Sequence, residues 1–325
     1  AHPRTAIGAA LIRDGKVVWT GVAGAQTDSQ PATRDTLFNV ASMTKPVTAE
    51  LVMRLAQAGR IGLDEPMAGV WMDPDVAGDA RARRLTPRMA LSHQTGFPNW
   101  RPQNRRLAFA REPGTGFIYS GEGYELVARF AARKLRADFE DLAESHVFRP
   151  MGLTRIAYTW RPWMEGRVAV PVNGNGYPGT AGPHPYGHWL GADDIYTTVG
   201  DYAAFVAGVA RGDGLSAALR AERLRPQVAM PGCPKPVAGC PDRVAMGLGW
   251  QVLSFGTRRL ALHEGGDPGV SAIAYFDADT RDGALIFLSG EGEAPLAMQV
   301  IEAIDPQSLV LSGYRAMMKS REGAE

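Results

Sequence analysis

The alternation of apolar and polar positions predicts strands at both ends of the chain. Residues 6–24, AIGAALIRDGKVVWTGVAG, form two apolar runs around Asp14-Gly15, a pair that tolerates the positive backbone angles of a tight hairpin turn. Near the other end, three consecutive strands are predicted, with DTRDG as one of the turns: RRLALHEGG, VSAIAYFDADT and GALIFLSGEG.

Between these strands, apolar residues mostly recur at the spacing of an α-helix. Apolar residues recur at helical intervals from Val47 to Ala58, Gly59 provides a stop, and Pro46 is tolerated in a first turn. Further helices are predicted for ELVARFAARKLRADFEDLAESHVF, GDYAAFVAGVARG and, near the end, APLAMQVIEAID, with loops such as PVNGNGYPGTAGPHPYGH between them. We therefore expect an α/β (α+β) fold, with residues 1–65 and 246–325 forming a sheet domain and residues 66–245 a mainly helical insertion.

Composition and charge limit the classes of molecule that this protein is expected to bind. The chain has 325 residues, is 45% hydrophobic and carries a net charge of +1 from 35 basic and 34 acidic residues. These charges are scattered, which gives no electrostatic footprint for nucleic acid. The apolar runs fall short of the roughly 18 residues that a membrane span requires. We expect small-molecule partners, no nucleic acid and no membrane span.

Two cysteines bear on the cellular compartment. Cys233 and Cys240 lie in the loop PGCPKPVAGCPD, where a disulfide is the leading interpretation and two free thiols are the alternative. Two sulfurs without a nearby histidine suit zinc poorly, and we expect no metal and no cofactor. A disulfide would indicate a periplasmic or secreted protein. The sequence leaves a cytoplasmic location open, as it does the removal of a signal peptide before AHPRTAIGAA.

Candidate chemistry begins at Ser42 and Lys45, one of only five lysines. Residues three apart on a helix have Cβ atoms about 5–6 Å apart, so the two side chains can meet. A neutral lysine amine can deprotonate a serine, provided that burial and nearby positive charge lower its pKa. Such a pair is weak evidence alone, but two companions follow: Tyr119 in GTGFIYSGEGYELV, and His263 in LHEGGDPGV, where glycines at a strand edge admit a substrate backbone.

Together, these segments resemble the penicillin-recognising serine hydrolases, with their Ser-x-x-Lys, Tyr-x-Asn and Lys-Thr-Gly boxes. The chain is most similar to the superfamily of class C β-lactamases and D-alanyl-D-alanine carboxypeptidases, which includes many esterases. The similar boxes are LFNVASMTKPVTA, MALSHQTGFPNW, YSGEGY and HEGGDPG. The resemblance implies a five-stranded antiparallel sheet flanked by helices, beside a mainly helical region, with the site between them.

The resemblance also implies roles for individual residues. Ser42 would attack a carbonyl and form an acyl-enzyme, with Lys45 as base, directly or through Tyr119. Tyr119, titrating low beside a lysine, would carry protons to the leaving group. The N–H groups of Ser42 and Gly266 would form the oxyanion hole. His263 would occupy the first position of the third motif, Lys-Thr-Gly, and would act as a catalytic residue.

The chain departs from the family boxes at two places. Gly121 replaces the asparagine of Tyr-x-Asn, and His263, Glu264 and Gly265 replace Lys-Thr-Gly. Glu264 would repel an anion if it faced the cleft. We expect hydrolysis of a neutral ester, amide or short peptide, with weak or no β-lactamase activity. An acyltransferase and a non-catalytic penicillin-binding module are the alternatives.

Other residues have a functional and a structural interpretation. Trp100, Tyr186 and Trp189 could form an apolar substrate wall, or pack in the core or rim. His93 is expected to pack beneath the site. Asp193-Asp194 precede a helix capped near Asp201, so that capping and solvation account for these acids. In HPYGH, Pro185 and Gly187 make a metal-binding helix with His184 and His188 unlikely to form.

Overall fold

The computed structural model describes residues 5–102, 106–171, 182–235, 237–290 and 294–322. The predicted loop PVNGNGYPGTAGPHPYGH lies partly outside these ranges, at residues 172–181. The strands, in chain order, are β1 (Ala6–Arg13), β2 (Lys16–Ala23), β3 (Ala25–Thr27), β4 (Gln30–Pro31), β5 (Phe38–Asn39), β6 (Ile156–Ala157), β7 (Tyr196–Thr197), β8 (Val228–Ala229), β9 (Arg243–Met246), β10 (Gln251–Phe255), β11 (Arg258–Asp267), β12 (Val270–Asp277) and β13 (Gly283–Ser289). The helices are α1 (Thr44–Gln57), α2 (Pro87–Leu91), α3 (Gly121–Leu135), α4 (Phe139–Ala143), α5 (Val199–Arg211), α6 (Ala217–Arg223), α7 (Ala294–Ile304) and α8 (Leu309–Glu322).

The main sheet is antiparallel, with strand order β2-β1-β13-β12-β11-β10-β9-β8. The five strands predicted from the sequence are confirmed as β1, β2, β11, β12 and β13. The turn between β1 and β2 has positive φ at Asp14 (46°) and Gly15 (68°), as the hairpin prediction requires. The sheet has eight strands rather than five, because the short strands β8, β9 and β10 extend it beyond β11.

Alternation along β11 divides the core into two layers. Ala261 packs with Val47 of α1 on one face of the sheet. Leu260 and Leu262 pack with Ile301 of α7 on the other face. This is the two-residue period of a strand that is covered on both sides. Odd-numbered residues of β11 therefore point toward α1, and even-numbered residues point toward α7 and α8.

The helices follow the prediction in part. Both α1 and α5 lie where expected, but residues 125–148 do not form one helix. Arg136 adopts a left-handed conformation (φ 53°) that ends α3, and Asp138 caps α4 by accepting a hydrogen bond from the N–H of Glu140 (2.9 Å). The sequence prediction missed α8. Within the described ranges, no helix is both long and apolar enough to cross a membrane.

Some elements of the predicted helical insertion belong to the sheet layer. The strands β8 and β9 extend the sheet, and α5 packs against β1 and β2. The two-domain division at residues 65 and 246 remains a prediction. The 3₁₀ turn at Ala41–Met43 contacts β11 and β12, and α1, which follows it, contacts α3, so this segment meets elements of both regions.

Candidate active site

Ser42 lies in a tight turn between β5 and α1. The turn, Ala41–Met43, is a single 3₁₀ turn that precedes α1, and Ala41 has a positive φ of 46°. The side-chain oxygen of Asn39 accepts a hydrogen bond from the N–H of Ala41 (2.7 Å). This local bond holds the turn, because a non-glycine residue in the left-handed region needs support from its surroundings.

Lys45, in the first turn of α1, meets Ser42 directly. Its Nζ lies 2.9 Å from Oγ of Ser42 and 2.9 Å from the carbonyl oxygen of Ala192. Burial lowers the pKa of Lys45 to about 8, while Asp193, Glu125 and Asp267 oppose that shift. The sequence prediction that positive charge would help to lower this pKa is wrong: these nearby groups are carboxylates, and desolvation alone outweighs them.

Tyr119 completes a compact group with these two side chains. It is hydrogen-bonded to Ser42, and Nζ of Lys45 lies 4.9 Å from the centre of its ring. Burial raises the pKa of Tyr119, and Asp193, Glu264 and Asp267 raise it further, although the bond to Ser42 opposes the shift. The expectation of a low pKa is therefore wrong, because the phenol is desolvated. Tyr119 is a neutral hydrogen-bonding group at neutral pH.

His93 supports the tyrosine from below, as expected from the sequence. Its ring stacks on Tyr119 with centroids 4.3 Å apart, and its Nδ1 accepts a hydrogen bond from the N–H of Ser120 (2.9 Å). The ring is completely buried, which lowers its pKa well below the usual range. A neutral His93 thus fixes both the ring of Tyr119 and the start of α3.

His263 reaches the same region from β11. Its Nδ1 donates to the carbonyl oxygen of Glu264 (2.7 Å), and its buried Nε2 has no hydrogen-bond partner among the described residues. Burial, aided by the charge of Lys45, lowers the pKa of His263 to about 3. The imidazole is therefore neutral at physiological pH. It does not supply the positive charge of the lysine that stands in the family's third box.

The two residues after His263 face opposite sides of the sheet. A Cβ atom placed on Gly265 would lie 2.3 Å from the carbonyl oxygen of Val40 and 3.3 Å from the nitrogen of Ser42, so only glycine lets β11 approach the serine turn this closely. Glu264 lies on the other face, where it lines an apolar cavity with Leu262. It does not share the face of His263 and Gly265, because side chains alternate along a strand.

The end of β11 has one open edge. The pairing of β10 with β11 stops at Gln251 and Leu262, whereas β12 pairs with β11 as far as Asp267. Within the described ranges, residues 263–267 thus have a strand partner on one side only. Gly266 lies on this segment, and a Cβ atom placed there would meet nothing within 4 Å. The open edge beside Ser42 is suited to pairing with an extended substrate.

Trp100 occupies the space beside Gly121. A Cβ atom on Gly121 would lie 2.9 Å from the indole ring of Trp100 and 2.9 Å from the carbonyl oxygen of Asn99. The N–H of Gly121 donates to the side-chain oxygen of Asn99 (3.0 Å). Trp100 is 40% exposed and also lines a pocket with Glu125. An asparagine at position 121 would displace this indole.

Tyr186 and Trp189, the other predicted wall residues, make contacts at α4. The hydroxyl of Tyr186 donates to Asp141 (3.2 Å), and Nε1 of Trp189 donates to Asp138 (3.0 Å). The indole of Trp189 also packs on Phe139, with ring centroids 4.9 Å apart. These contacts do not bring either side chain to Ser42. Their role in substrate binding stays a prediction.

Sequence reasoning missed a carboxylate group beside Lys45. Asp193, Asp194 and Asp267 each offer an oxygen, and these oxygens lie within 4.8 Å of one another, a spacing that would also suit a cation. Burial raises the pKa of Asp193 to about 8 and that of Asp267 to about 6, with neighbouring carboxylates adding to both shifts. Asp193 is only 6% exposed. The prediction that solvation accounts for Asp193 is wrong.

Capping does not account for the aspartate pair either. Thr198 caps α5, its side chain accepting from the N–H of Asp201. Asp194 instead accepts from the side chain of Asn39 (2.8 Å) and lies 2.9 Å from Nε2 of His184. His188 is exposed and takes no part in this group. Asp194 thus connects the serine turn to the loop before β7.

Cys233 and Cys240 are joined by a disulfide. Their loop also contacts α8, since the hydroxyl of Ser320 donates to the carbonyl oxygen of Lys235 (2.8 Å) and accepts from its N–H (2.8 Å). The bond closes the short loop between β8 and β9. It lies at the far edge of the sheet from β1 and β2.

The arrangement matches a known family. A family model described as beta-lactamase matches residues 2–306. The chain belongs to the beta-lactamase family. Penicillin-binding protein 4* of Bacillus subtilis is 24% identical over 301 residues, covering 82% of this chain and 63% of that protein. Esterase EstB of Burkholderia gladioli is 26% identical over 269 residues, covering 69% of this chain and 67% of that protein.

The beta-lactamase fold is also evident in solved structures. A beta-lactamase/D-alanine carboxypeptidase from Pseudomonas syringae superposes with a TM-score of 0.75 at 18% identity, covering 93% of this chain and 94% of that one. At this identity the likeness shows the fold alone. The chain spans about three fifths of the length of two curated relatives, 63% for the Bacillus protein and 61% for a human beta-lactamase-like protein.

Proposed function

We propose that this protein is a serine hydrolase that forms an acyl-enzyme on Ser42 from an ester or amide substrate. The observation that carries the proposal is the 2.9 Å contact between Nζ of Lys45 and Oγ of Ser42, with the pKa of that amine lowered to about 8. A general base must lie within hydrogen-bond reach of the proton that it removes, and its pKa should lie near the working pH. Lys45 meets both conditions.

In the proposed reaction, neutral Lys45 takes the proton of Ser42 as Oγ attacks the carbonyl carbon. The new C–O bond gives a tetrahedral oxyanion. Collapse breaks the bond to the leaving group, which receives a proton from the phenol of Tyr119, and Lys45 returns its proton to the phenolate. Water then attacks the acyl carbonyl and loses a proton to neutral Lys45. The second tetrahedral intermediate collapses by breaking its bond to Oγ of Ser42, which receives that proton, and the carboxylic acid product leaves. The raised pKa of Tyr119 supports this order, since the phenol begins protonated.

The N–H groups of Ser42 and Gly266 would stabilise the oxyanion. The close approach of Gly265 to the nitrogen of Ser42 supports this role, because it brings β11 and the serine turn together. Each donor in such a site is typically worth about 10²- to 10³-fold in rate. The open edge of β11 and the indole of Trp100 would hold the substrate on either side.

We propose a neutral or cationic ester, amide or short peptide as substrate, and weak or no β-lactamase activity. A neutral His263, with a pKa of about 3, offers no positive charge for the carboxylate of a penicillin. The Cys233–Cys240 disulfide supports an oxidising compartment and hence a periplasmic or secreted location.

Replacing the nucleophile tests the proposed function. We expect Ser42→Ala to lose more than about 10³-fold in turnover of a neutral p-nitrophenyl ester, because no other group can form the acyl-enzyme. Ser29→Ala makes the same substitution at an exposed serine and should keep the wild-type rate. Turnover by Ser42→Ala at the rate of the parent would show that the nucleophile is misassigned.

A labelling experiment examines the same serine by mass. A fluorophosphonate should add one phosphonyl group to the Ser42 peptide in the wild-type protein and none in Ser42→Ala. Lys45→Ala should label far more slowly, since the hydroxyl then lacks its base. Labelling of a different serine at full rate would contradict the assignment of the site.

A further inference from the structure

Glu264 is an exposed carboxylate that pairs with no cation among the described residues. It follows His263 on the strand that borders Ser42, in a segment that β10 leaves unpaired. Apolar surroundings raise the pKa of Glu264, because desolvation disfavours the charged form. Glu264 is adjacent in the strand to Gly265, which contacts the serine turn, and its unpaired carboxylate is a candidate for contact with a substrate that extends past this edge.

Glu264 borders an apolar cavity of about 170 Å³ on the α7 and α8 side of the sheet. Its walls combine residues of β10 to β12, both helices and the loop that holds the disulfide: Leu253, Leu262, Ile273, Met298, Val310 and Met230. Pockets for whole ligands usually span about 300–1,000 Å³. This cavity is therefore suited to one substituent of a substrate, with a single carboxylate at its border.

The cavity adjoins the open edge of β11. Gln251, the first residue of β10 and the one at which its pairing with β11 ends, lines the cavity together with Glu264. The next residue, Gly265, lies against the serine turn. The charge of Glu264 also contributes to raising the pKa of Tyr119, which places the carboxylate within electrostatic reach of the site. A substrate paired with the edge can therefore extend a substituent toward Glu264.

Most of the other ionisable groups near the site are carboxyl groups. Asp193, Asp194 and Asp267 lie together beside Lys45, and His263 is neutral. Lys45 is completely buried and bonded to Ser42 and Ala192. The Lys45 ammonium is therefore enclosed, and the charge that a substituent meets at the cavity is the carboxylate of Glu264. This carboxylate would repel a substrate carboxylate and attract a cation.

We propose that Glu264 makes the site selective for substrates that carry an alkylammonium group, which the adjoining cavity receives. This inference rests on the proposed hydrolase function and names the substrate class of the same site. The apolar walls would contact the alkyl groups, and the carboxylate would balance the charge. A substrate with a carboxylate at this place would be disfavoured for the same reason.

Isosteric esters test this preference. In one pair the cation is on the acyl side: p-nitrophenyl 4-(trimethylammonio)butanoate against p-nitrophenyl 5,5-dimethylhexanoate. In the other pair it is on the alcohol side: butanoylcholine against 3,3-dimethylbutyl butanoate. Members of a pair differ only by a nitrogen and its charge. We expect kcat/KM to favour the cation by about fivefold in at least one pair, the upper range for a partly exposed charge pair.

Glu264→Gln removes the charge and keeps the shape. The preference for the cationic ester should then fall to near one, mainly through KM. Glu165→Gln removes an exposed carboxylate elsewhere on the surface and should keep the wild-type ratio. The inference is overturned if neither pair shows a preference for the cation, or if Glu264→Gln retains the full preference.

The two proposals can fail separately. Hydrolysis of the neutral esters that depends on Ser42, without a preference for the cation, keeps the hydrolase and rejects the role of Glu264. If no ester is hydrolysed, calorimetry with butyltrimethylammonium gives an independent measurement. Wild-type protein should bind this probe at least about fivefold more tightly than Glu264→Gln, and equal binding would reject the inference.

Discussion

The amine of Lys45 is subject to two opposing electrostatic effects. Burial favours the neutral form, and the carboxylates of Asp193, Glu125 and Asp267 favour the ammonium form. The balance leaves a pKa of about 8. The neutral amine therefore increases as the pH rises through 8, and under the proposed mechanism the rate of acylation should increase with it.

Asp193→Asn should shift the pH profile of kcat/KM for a neutral ester to lower pH. The carboxylate stabilises the ammonium form, so its removal lets burial lower the pKa of Lys45 further. With a pKa near 8, about a tenth of the amine is neutral at pH 7, which sets a ceiling of about tenfold on the rise in rate. The gain at pH 7 should lie well below that ceiling, because burial raises the pKa of Asp193 itself to about 8 and this carboxyl is mostly protonated at pH 7. Stopped-flow acylation between pH 6 and 10 measures this.

Asp35→Asn is the matched control, since Asp35 is an exposed aspartate. Its profile should coincide with that of the wild type. A profile for Asp193→Asn that is unchanged, or displaced to higher pH, would show that the carboxylate does not act on the base.

Single residues differ in how well the sequence reveals them. Ser42, Lys45 and Tyr119 could be found because their spacing and local boxes carry a chemical pattern. Asp193 could not, because its burial depends on segments far apart in the chain. The available signal was weak: an aspartate pair directly after the apolar run WLGA.

At the scale of elements, the site depends on how closely β11 approaches the turn before α1. Gly265 allows this approach, since any Cβ atom would overlap the carbonyl oxygen of Val40 at 2.3 Å. The strand must therefore move away if the residue is larger. A larger residue would therefore mainly change the distance between β11 and Ser42, because pairing with β12 holds the other edge of β11 in the sheet.

We expect Gly265→Ala to reduce kcat by about 10²-fold or more, comparable with the loss of one oxyanion donor. KM should change less, because the effect acts on the transition state. Gly266→Ala keeps its N–H and meets nothing within 4 Å, so its loss should be far smaller. Equal rates for the two variants would mean that the approach of β11 does not matter for catalysis. Steady-state kinetics on one ester compares them.

At the scale of the molecule, a buried charge network holds α1 in place. Glu50 of α1 pairs with Arg54 (2.8 Å) and with Arg223 of α6 (2.9 Å), and all three side chains are at most 8% exposed. Arg54 also donates to the carbonyl oxygens of His146 and Asp213. The network therefore joins the helix that carries Lys45 to three other segments of the chain.

Glu50→Gln should lower the free energy of unfolding by about 3–5 kcal/mol, because two buried guanidinium groups lose their carboxylate. Glu302→Gln makes the same change in an exposed pair with Arg315 and should cost about 1 kcal/mol or less. Urea titration followed by circular dichroism measures both. Similar losses for the two variants would mean that the buried network adds no more stability than a surface pair.

The sequence by itself determined the strands at the two ends, the hairpin at Asp14-Gly15 and the helix after Ser42, and it singled out Ser42, Lys45 and Tyr119 as the candidate reactive group. These features depend on local periodicity and on neighbours within a few positions, which the chain carries in order. The sequence also showed where this chain departs from the family motifs. Once a motif has been recognised, a substituted residue within it can be read directly.

Only the tertiary structure decided the electrostatics of the site. Burial of Lys45, His263 and Asp193 depends on which segments enclose them, and burial sets the direction of each pKa shift. The short strands beyond β11, and the face to which Glu264 points, likewise depend on pairing between distant segments. Contacts over such separations follow from the packing of the whole chain.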